Sequence, residues 1–204
     1  MSIYQAWGKR ALDLTLAALL LPLIAPVILV IWGVVRLEGA PGIFAHKRIG
    51  RHGREFYCFK IRTMVPDAEI KLAQYLKTNT SAAAEWAETQ KLKDDPRTTR
   101  LGRFLRKTSL DELPQIWNVM RGDMSFVGPR PITASELDRY GTSRYSYLAM
   151  RPGITGIWQV NGRQAGDYSQ RVKMDQQYAC RQNMLLDLYL IIMTGLVVLK
   201  PTGE

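Results

Sequence analysis

Asp111 and Glu112 are adjacent carboxylates inside the run LGRFLRKTSLDELPQIWNVMRGDMSFVGPRP, residues 101–131. Arg103, Arg106 and Lys107 precede them, Pro114 follows, and Pro129-Arg130-Pro131 closes the run. Two acids in a cationic setting fit a site that handles phosphate together with a hard metal ion. An aspartate can attack phosphorus and form an acyl phosphate, and positive charge nearby favours its ionised form. Phosphate oxygens arriving at such a site need cations. Lys60, Arg62, Arg106 and Arg130 are candidates, arginine especially because its fork matches two oxygens. Pro129 and Pro131 keep the backbone around Arg130 extended and limit its wandering. The same acids have a second reading. Carboxylates are common at helix starts, where they satisfy free N–H groups and complement the helix dipole. Either Ser109 or Asp111 can be the N-cap, and both choices place the two acids in the first helical turn, with Pro114 tolerated there because the first N–H groups have no intrahelical partner.

Composition narrows the chemistry. The chain has 204 residues, 47% of them apolar, and a formal net charge of +10. That is one domain, or one domain with a membrane element. The positive balance suits nucleic acid, anionic headgroups or phosphorylated substrates. Its basic residues are scattered among strands and turns without interleaved stacking aromatics, so nucleic acid is not expected as a partner. Cys58 and Cys180 form no disulfide framework. With His46 and His52 as the only histidines, a His/Cys zinc site and a Ser-His-Asp triad are both disfavoured. Any metal must be a hard cation on carboxylate and phosphate oxygens, which points to Mg²⁺.

The elements that must position these residues begin with an apolar run from Leu12 to Val35, interrupted by Asp13, Thr15, Gly33, Pro22 and Pro26. It is long enough to cross a bilayer, which takes roughly 20 residues. Basic residues flank it on both sides, Lys9 and Arg10 before and Arg36, Lys47, Arg48, Arg51 and Arg54 after. Three readings compete: a cleaved signal peptide, which lacks a small-x-small cleavage site before Arg36; a spanning helix, which would put one basic flank on the wrong side but can carry proline kinks; and a re-entrant hairpin bent at the prolines, which keeps both flanks on one side. Residues 43–64 predict two strands around a turn at Gly50–Gly53, with Lys60 and Arg62 on one face. Pro66–Lys77 and Ala82–Lys93 predict a surface helical hairpin, and Asp94-Asp95-Pro96 a turn. Residues 150–163, MRPGITGIWQVNGR, read as turns with Arg151 and Arg163 at the ends. Gln170–Gln182 predicts a helix, and 185–199 an apolar helix packed on the domain or lying in the membrane interface.

KRALDLTLAALLLPLIAPVILV (9–30), FKIRTM (59–64), RKTSLDELPQIWNVMRGDMSFVGPRP (106–131) and RPGITGIWQVNGR (151–163) together resemble the bacterial sugar transferases. These are monotopic polyprenyl-phosphate hexose-1-phosphate transferases of the type that primes exopolysaccharide synthesis. The resemblance covers most of the chain. It implies a mainly helical α+β fold. A re-entrant membrane helix would occupy residues 1–38, bent at Ala25-Pro26, and a small cytosolic catalytic domain residues 39–204, with a short β-hairpin, a helical insertion at 66–98 and amphipathic interfacial helices. It implies Mg²⁺-dependent transfer of hexose 1-phosphate, galactose or glucose, from a UDP-sugar to undecaprenyl phosphate at the cytosolic face of the bacterial inner membrane, with release of UMP. Asp111 matches the nucleophile and Glu112 the second acid, with either as metal ligand. Lys60, Arg62, Arg106, Arg130, Arg151 and Arg163 are the implied phosphate and substrate contacts. Membrane lipid and a second copy of the chain are the further partners expected. Residues 66–98 look like those of the larger polysaccharide-priming members, whose N-terminal multi-helix region is not seen in this sequence. The contrasting expectation is a non-catalytic, membrane-tethered basic scaffold or anion-binding module in which the acids only cap a helix.

Overall fold

A computed structural model of the chain describes residues 2–89, 92–161 and 168–199. A π-helical turn, Tyr4–Gly8, leads into α1, Lys9–Leu37. Leu, Ala and Ile dominate α1 and favour helix. Pro22 and Pro26 each remove one hydrogen bond to the preceding turn, yet the helix is assigned without interruption through both. The helix runs on through Ala25-Pro26; a proline kink can leave such a helix continuous.

One face of α1 packs on the rest of the protein along nearly its whole length. Lys9, Asp13, Ala17 and Val35 are buried. Leu20, Leu21, Ile24, Ile28 and Ile31 lean on the two clusters around Phe56/Ile116 and Ile61/Leu105. The spacing of three and four residues makes this a single helical stripe. Leu19, Leu23, Leu29, Val30 and Leu37 stay exposed around the other faces.

Strands β1, Ile43–Ile49, and β2, Glu55–Ile61, pair antiparallel with Ile43 opposite Ile61 and Ile49 opposite Glu55. They bear out the expected hairpin. Two helices follow, α2 over Ala68–Thr78 and α3 over Thr80–Thr89, separated by Asn79 alone. Next come α4, Arg100–Lys107, and α5, Gln115–Arg121, joined by a 3₁₀ turn at Leu110–Glu112. Strand β3, Ser125–Val127, precedes α6, Ala134–Asp138, and α7, Arg144–Leu148. Strand β4, Gly153–Thr155, pairs parallel with β3, and α8 covers Ile157–Asn161. The predicted string of turns over 150–163 is therefore corrected to a strand and a short helix. The two segments approach so closely that a Cβ on Gly153 would sit 2.1 Å from the Gly128 nitrogen. Helices α9, Tyr168–Arg181, and α10, Met184–Leu199, are the last described elements. The fold is mainly helical α+β, with one long apolar N-terminal helix and a short β-hairpin.

The core is divided among four small clusters. Two sit beneath α1, one joins Ile49, Ile132, Tyr140, Tyr147 and Val172, and one joins Val127, Met150, Tyr178 and Leu190. Lys60, Arg106, Asp111, Glu112 and Arg130 are carried by β2, α4, the 3₁₀ turn and the Pro-Arg-Pro segment.

Candidate active site

Asn118 fixes the frame. It is fully buried on α5, accepts the Phe59 N–H at 3.0 Å and donates to the Tyr57 carbonyl at 2.8 Å. A side-chain amide thus takes the place of a neighbouring strand on β2. It holds the end of that strand, and with it Lys60, beside the acidic turn. On the other side, α4 starts from Thr99, whose hydroxyl accepts the Gly102 N–H. Gly102 lets α4 press against the strand's continuation, since a Cβ there would lie 2.1 Å from the Thr63 carbonyl oxygen. Thr63 then accepts Arg106 Nε at 2.9 Å through its hydroxyl.

Between these supports the chain turns through Ser109, which adopts a left-handed conformation at φ 56°. A non-glycine residue there carries strain that the surrounding structure must hold. The acids follow in the 3₁₀ turn, not in the first turn of α5 as expected. Neither the turn nor α5 has a side-chain cap hydrogen bond, and Pro114 occupies the N-cap position of α5.

Lys60 spans both acids. Its Nζ donates to Glu112 Oε1 at 2.7 Å and lies 3.9 Å from Asp111 Oδ2. Arg130 Nη1 stands 3.6 Å from the same Glu112 oxygen. Arg106 and Asp111 are near enough for each charge to act on the other. Asp111 is 7% exposed. Burial raises its carboxyl above the usual aspartate range, Glu112 adds to this, and Lys60, Arg106 and Arg130 pull the other way. The neighbouring cations favour the ionised form, as expected, while loss of water opposes them and sets the net upward direction.

Three of the four principal cation candidates thus meet at the acids. Arg62 does not join them by any contact: its Nε donates to the Pro41 carbonyl and its guanidinium lies 5.4 Å from the Phe44 ring centroid. Arg151 lies elsewhere as well, bonded through Nε to the Gly122 carbonyl and influenced by Arg10 and Arg51. Arg163 falls outside the described residues. Sequence reasoning missed Thr63, Asn118 and Arg48, which pairs with Glu136 at 3.3 Å and feels the charge of Arg130. Only the buried polar type of Asn118, between apolar neighbours, hints at such a role.

Among the described residues no group of three or more His, Cys, Asp or Glu side chains converges. Asp111 and Glu112 are nevertheless hard oxygen donors side by side, and Lys60 already places a positive charge between them. This donor set suits a divalent cation that completes its shell with phosphate oxygens and water.

The family model described as bacterial sugar transferase matches residues 4–201. An undecaprenyl-phosphate galactose phosphotransferase of Salmonella typhimurium is 45% identical over 195 residues, which are 96% of this chain and 41% of that protein. The exopolysaccharide production protein ExoY of Sinorhizobium fredii is 43% identical over 97% of this chain and 88% of its own length. An undecaprenyl-phosphate glucose phosphotransferase of Komagataeibacter xylinus is 36% identical over 95% of this chain and 36% of its own length. The chain spans about two fifths of the length of the first of these relatives.

Proposed function

The chain belongs to the bacterial sugar transferase family, and on that premise we propose that it transfers a hexose 1-phosphate from a UDP-sugar to undecaprenyl phosphate. The observation that carries the chemistry is Asp111, 7% exposed and faced by Lys60, Arg106 and Arg130. A carboxylate oxygen of Asp111 attacks the sugar-bearing phosphorus. An O–P bond forms, the bond to the bridging diphosphate oxygen breaks, and UMP leaves with that oxygen. An oxygen of undecaprenyl phosphate then attacks the same phosphorus, and the Asp111 carboxylate is regenerated as undecaprenyl-diphosphate-sugar departs. Burial strips water from Asp111, which strengthens its interaction with every charge around it.

Lys60 and Arg130, now turned to Glu112, supply positive charge for the phosphate oxygens as they arrive. Arg106, fixed by Thr63, supplies a third. Glu112 holds Lys60 in place between substrates. Mg²⁺ held by Asp111 and Glu112 would neutralise charge on the transferring phosphoryl group. Galactose and glucose are the sugars to try first, because they stand in the names of two relatives.

The setting we propose is the cytosolic face of the bacterial inner membrane, with α1 re-entrant. The stripe from Lys9 to Val35 covers about 40 Å of helix, against a hydrocarbon core of about 30 Å. Both ends of that stripe rest on the same globular body, Lys9 on Asp187 and Val35 beside Ile61 and Leu105. A perpendicular span would drag that body into hydrocarbon. A helix bent around the body, with its apolar outer face in lipid, avoids this cost.

Purified protein given UDP-galactose or UDP-glucose, Mg²⁺ and undecaprenyl phosphate is expected to release UMP. Asp111→Asn should reduce the rate by about 10³-fold or more with an unchanged melting temperature. Turnover near the wild-type rate in that variant would remove Asp111 from the nucleophile role. A folded wild-type protein that releases no UMP from either sugar would return weight to the scaffold.

A further inference from the structure

Away from the acids, at the foot of α1, lies a cavity of about 470 Å³. Its wall includes Lys9, Arg10, Asp13, Arg51, Arg151 and Cys180, and none of Lys60, Arg106, Asp111, Glu112 or Arg130. Four cations therefore face one carboxylate. Lys9 is neutralised by Asp187 at 2.6 Å. Asp13 is turned to Ser125 and the Phe126 N–H through one oxygen, its second oxygen being buried without a partner.

Among the described residues, two of the three arginines donate to backbone carbonyls and the third has an unpartnered nitrogen. Arg10 donates to the Val119 and Met120 carbonyls at the end of α5. Arg151 donates through Nε to the Gly122 carbonyl. Arg51 Nε is buried with no hydrogen-bond partner. Burial and the charges of Arg10 and Arg51 both push the Arg151 guanidinium below its ordinary value. Crowding like charges away from water costs free energy unless an anion joins them. Guanidinium forks match the paired oxygens of phosphate, and the cavity has room for more than a bare phosphate.

We propose that this cavity is a second anion site, which binds a phosphate group carried by a membrane lipid or free in solution. Arg51, with its unused Nε, and Arg151 bind the phosphate oxygens, and Arg10 adds charge from the α5 end. The position favours a lipid: Lys9, Arg10 and Asp13 open α1, and the exposed apolar residues Leu14 and Leu19 follow on the same helix. A headgroup held here would fix the depth of α1 in the bilayer. The cavity shares no lining residue with the acid site.

Cys180 lines the cavity and is exposed, whereas Cys58 is buried. Alkylation of Cys180 by iodoacetamide thus reports occupancy in the unmodified full chain. In neutral detergent at matched ionic strength, dioctanoyl phosphatidylglycerol is expected to slow the reaction about fivefold or more, saturably, and dioctanoyl glycerol to leave it unchanged. Equal protection by inorganic phosphate would support the site and assign it to the soluble source; protection by the lipid alone would assign it to the membrane. Arg51→Gln should move the midpoint about tenfold higher, and Arg51→Lys should recover part of that shift. No protection by either phosphate-bearing probe overturns the proposal, as does a midpoint indifferent to both Arg51→Gln and Arg151→Gln.

Discussion

At the scale of single residues, the central feature is a balance of opposing effects on Asp111. In the proposed mechanism the attacking form is the carboxylate, and burial makes that form harder to keep. The proton is therefore held to a higher pH than in an ordinary aspartate, whose value is about 3.9, and activity is expected to fall on acidification from a correspondingly higher pH. Lys60 opposes the shift, so Lys60→Met should move the acidic limb of kcat/KM further up the pH scale, besides lowering its plateau. A limb that stays put or moves down would show that Lys60 does not set the charge of Asp111. The identity of the cations was legible in the sequence because strand spacing and the Pro-Arg-Pro segment announce them. Burial of Asp111 was not, because it depends on β2, α4 and residues 129–131 closing over one turn from distant parts of the chain. Arg62 fails for a related reason: the strand ends at Ile61, and past that point alternation no longer places a side chain.

At the scale of elements, the site is held by close approaches and one buried amide. Gly102 lies where α4 touches the Thr63 backbone. An alanine in a helix is ordinarily favoured over glycine by about 1 kcal/mol. Here its Cβ would have to displace backbone, so Gly102→Ala is expected to destabilise the protein by about 1–3 kcal/mol in urea unfolding. It should also loosen Arg106 through Thr63 and raise KM for the UDP-sugar. A variant as stable as wild type, with unchanged KM, would mean that this contact positions nothing. The long helices and the hairpin could be read from apolar period and turn residues. The β3–β4 pair could not: three residues on each side are too few to show alternation, and parallel pairing joins segments whose only local signal is glycine. The 3₁₀ turn was hidden because a proline three residues past Asp111 is compatible with more than one helix start.

At the scale of the whole molecule, a long apolar helix is bound along one side to the body that carries the acids. The sequence supplied the apolar run and its two basic flanks, but not the stripe, since Lys9 and Asp13 read as flank and interruption until their partners Asp187 and Ser125 are seen. With α1 re-entrant, both ends face the same compartment. In a Cys180→Ser background, cysteines placed by Ser2→Cys and Arg54→Cys are expected to react with a membrane-impermeant maleimide from the same side of sealed inverted vesicles. Reaction from opposite sides would establish a spanning helix and contradict the arrangement.

The proposed covalent step can be tested directly. Enzyme quenched with acid after brief exposure to UDP-sugar and Mg²⁺, without undecaprenyl phosphate, should carry one added hexose phosphate on the peptide containing Asp111, discharged when undecaprenyl phosphate is supplied before the quench. Active enzyme that never acquires this mass, or acquires it on a different residue, would contradict the mechanism.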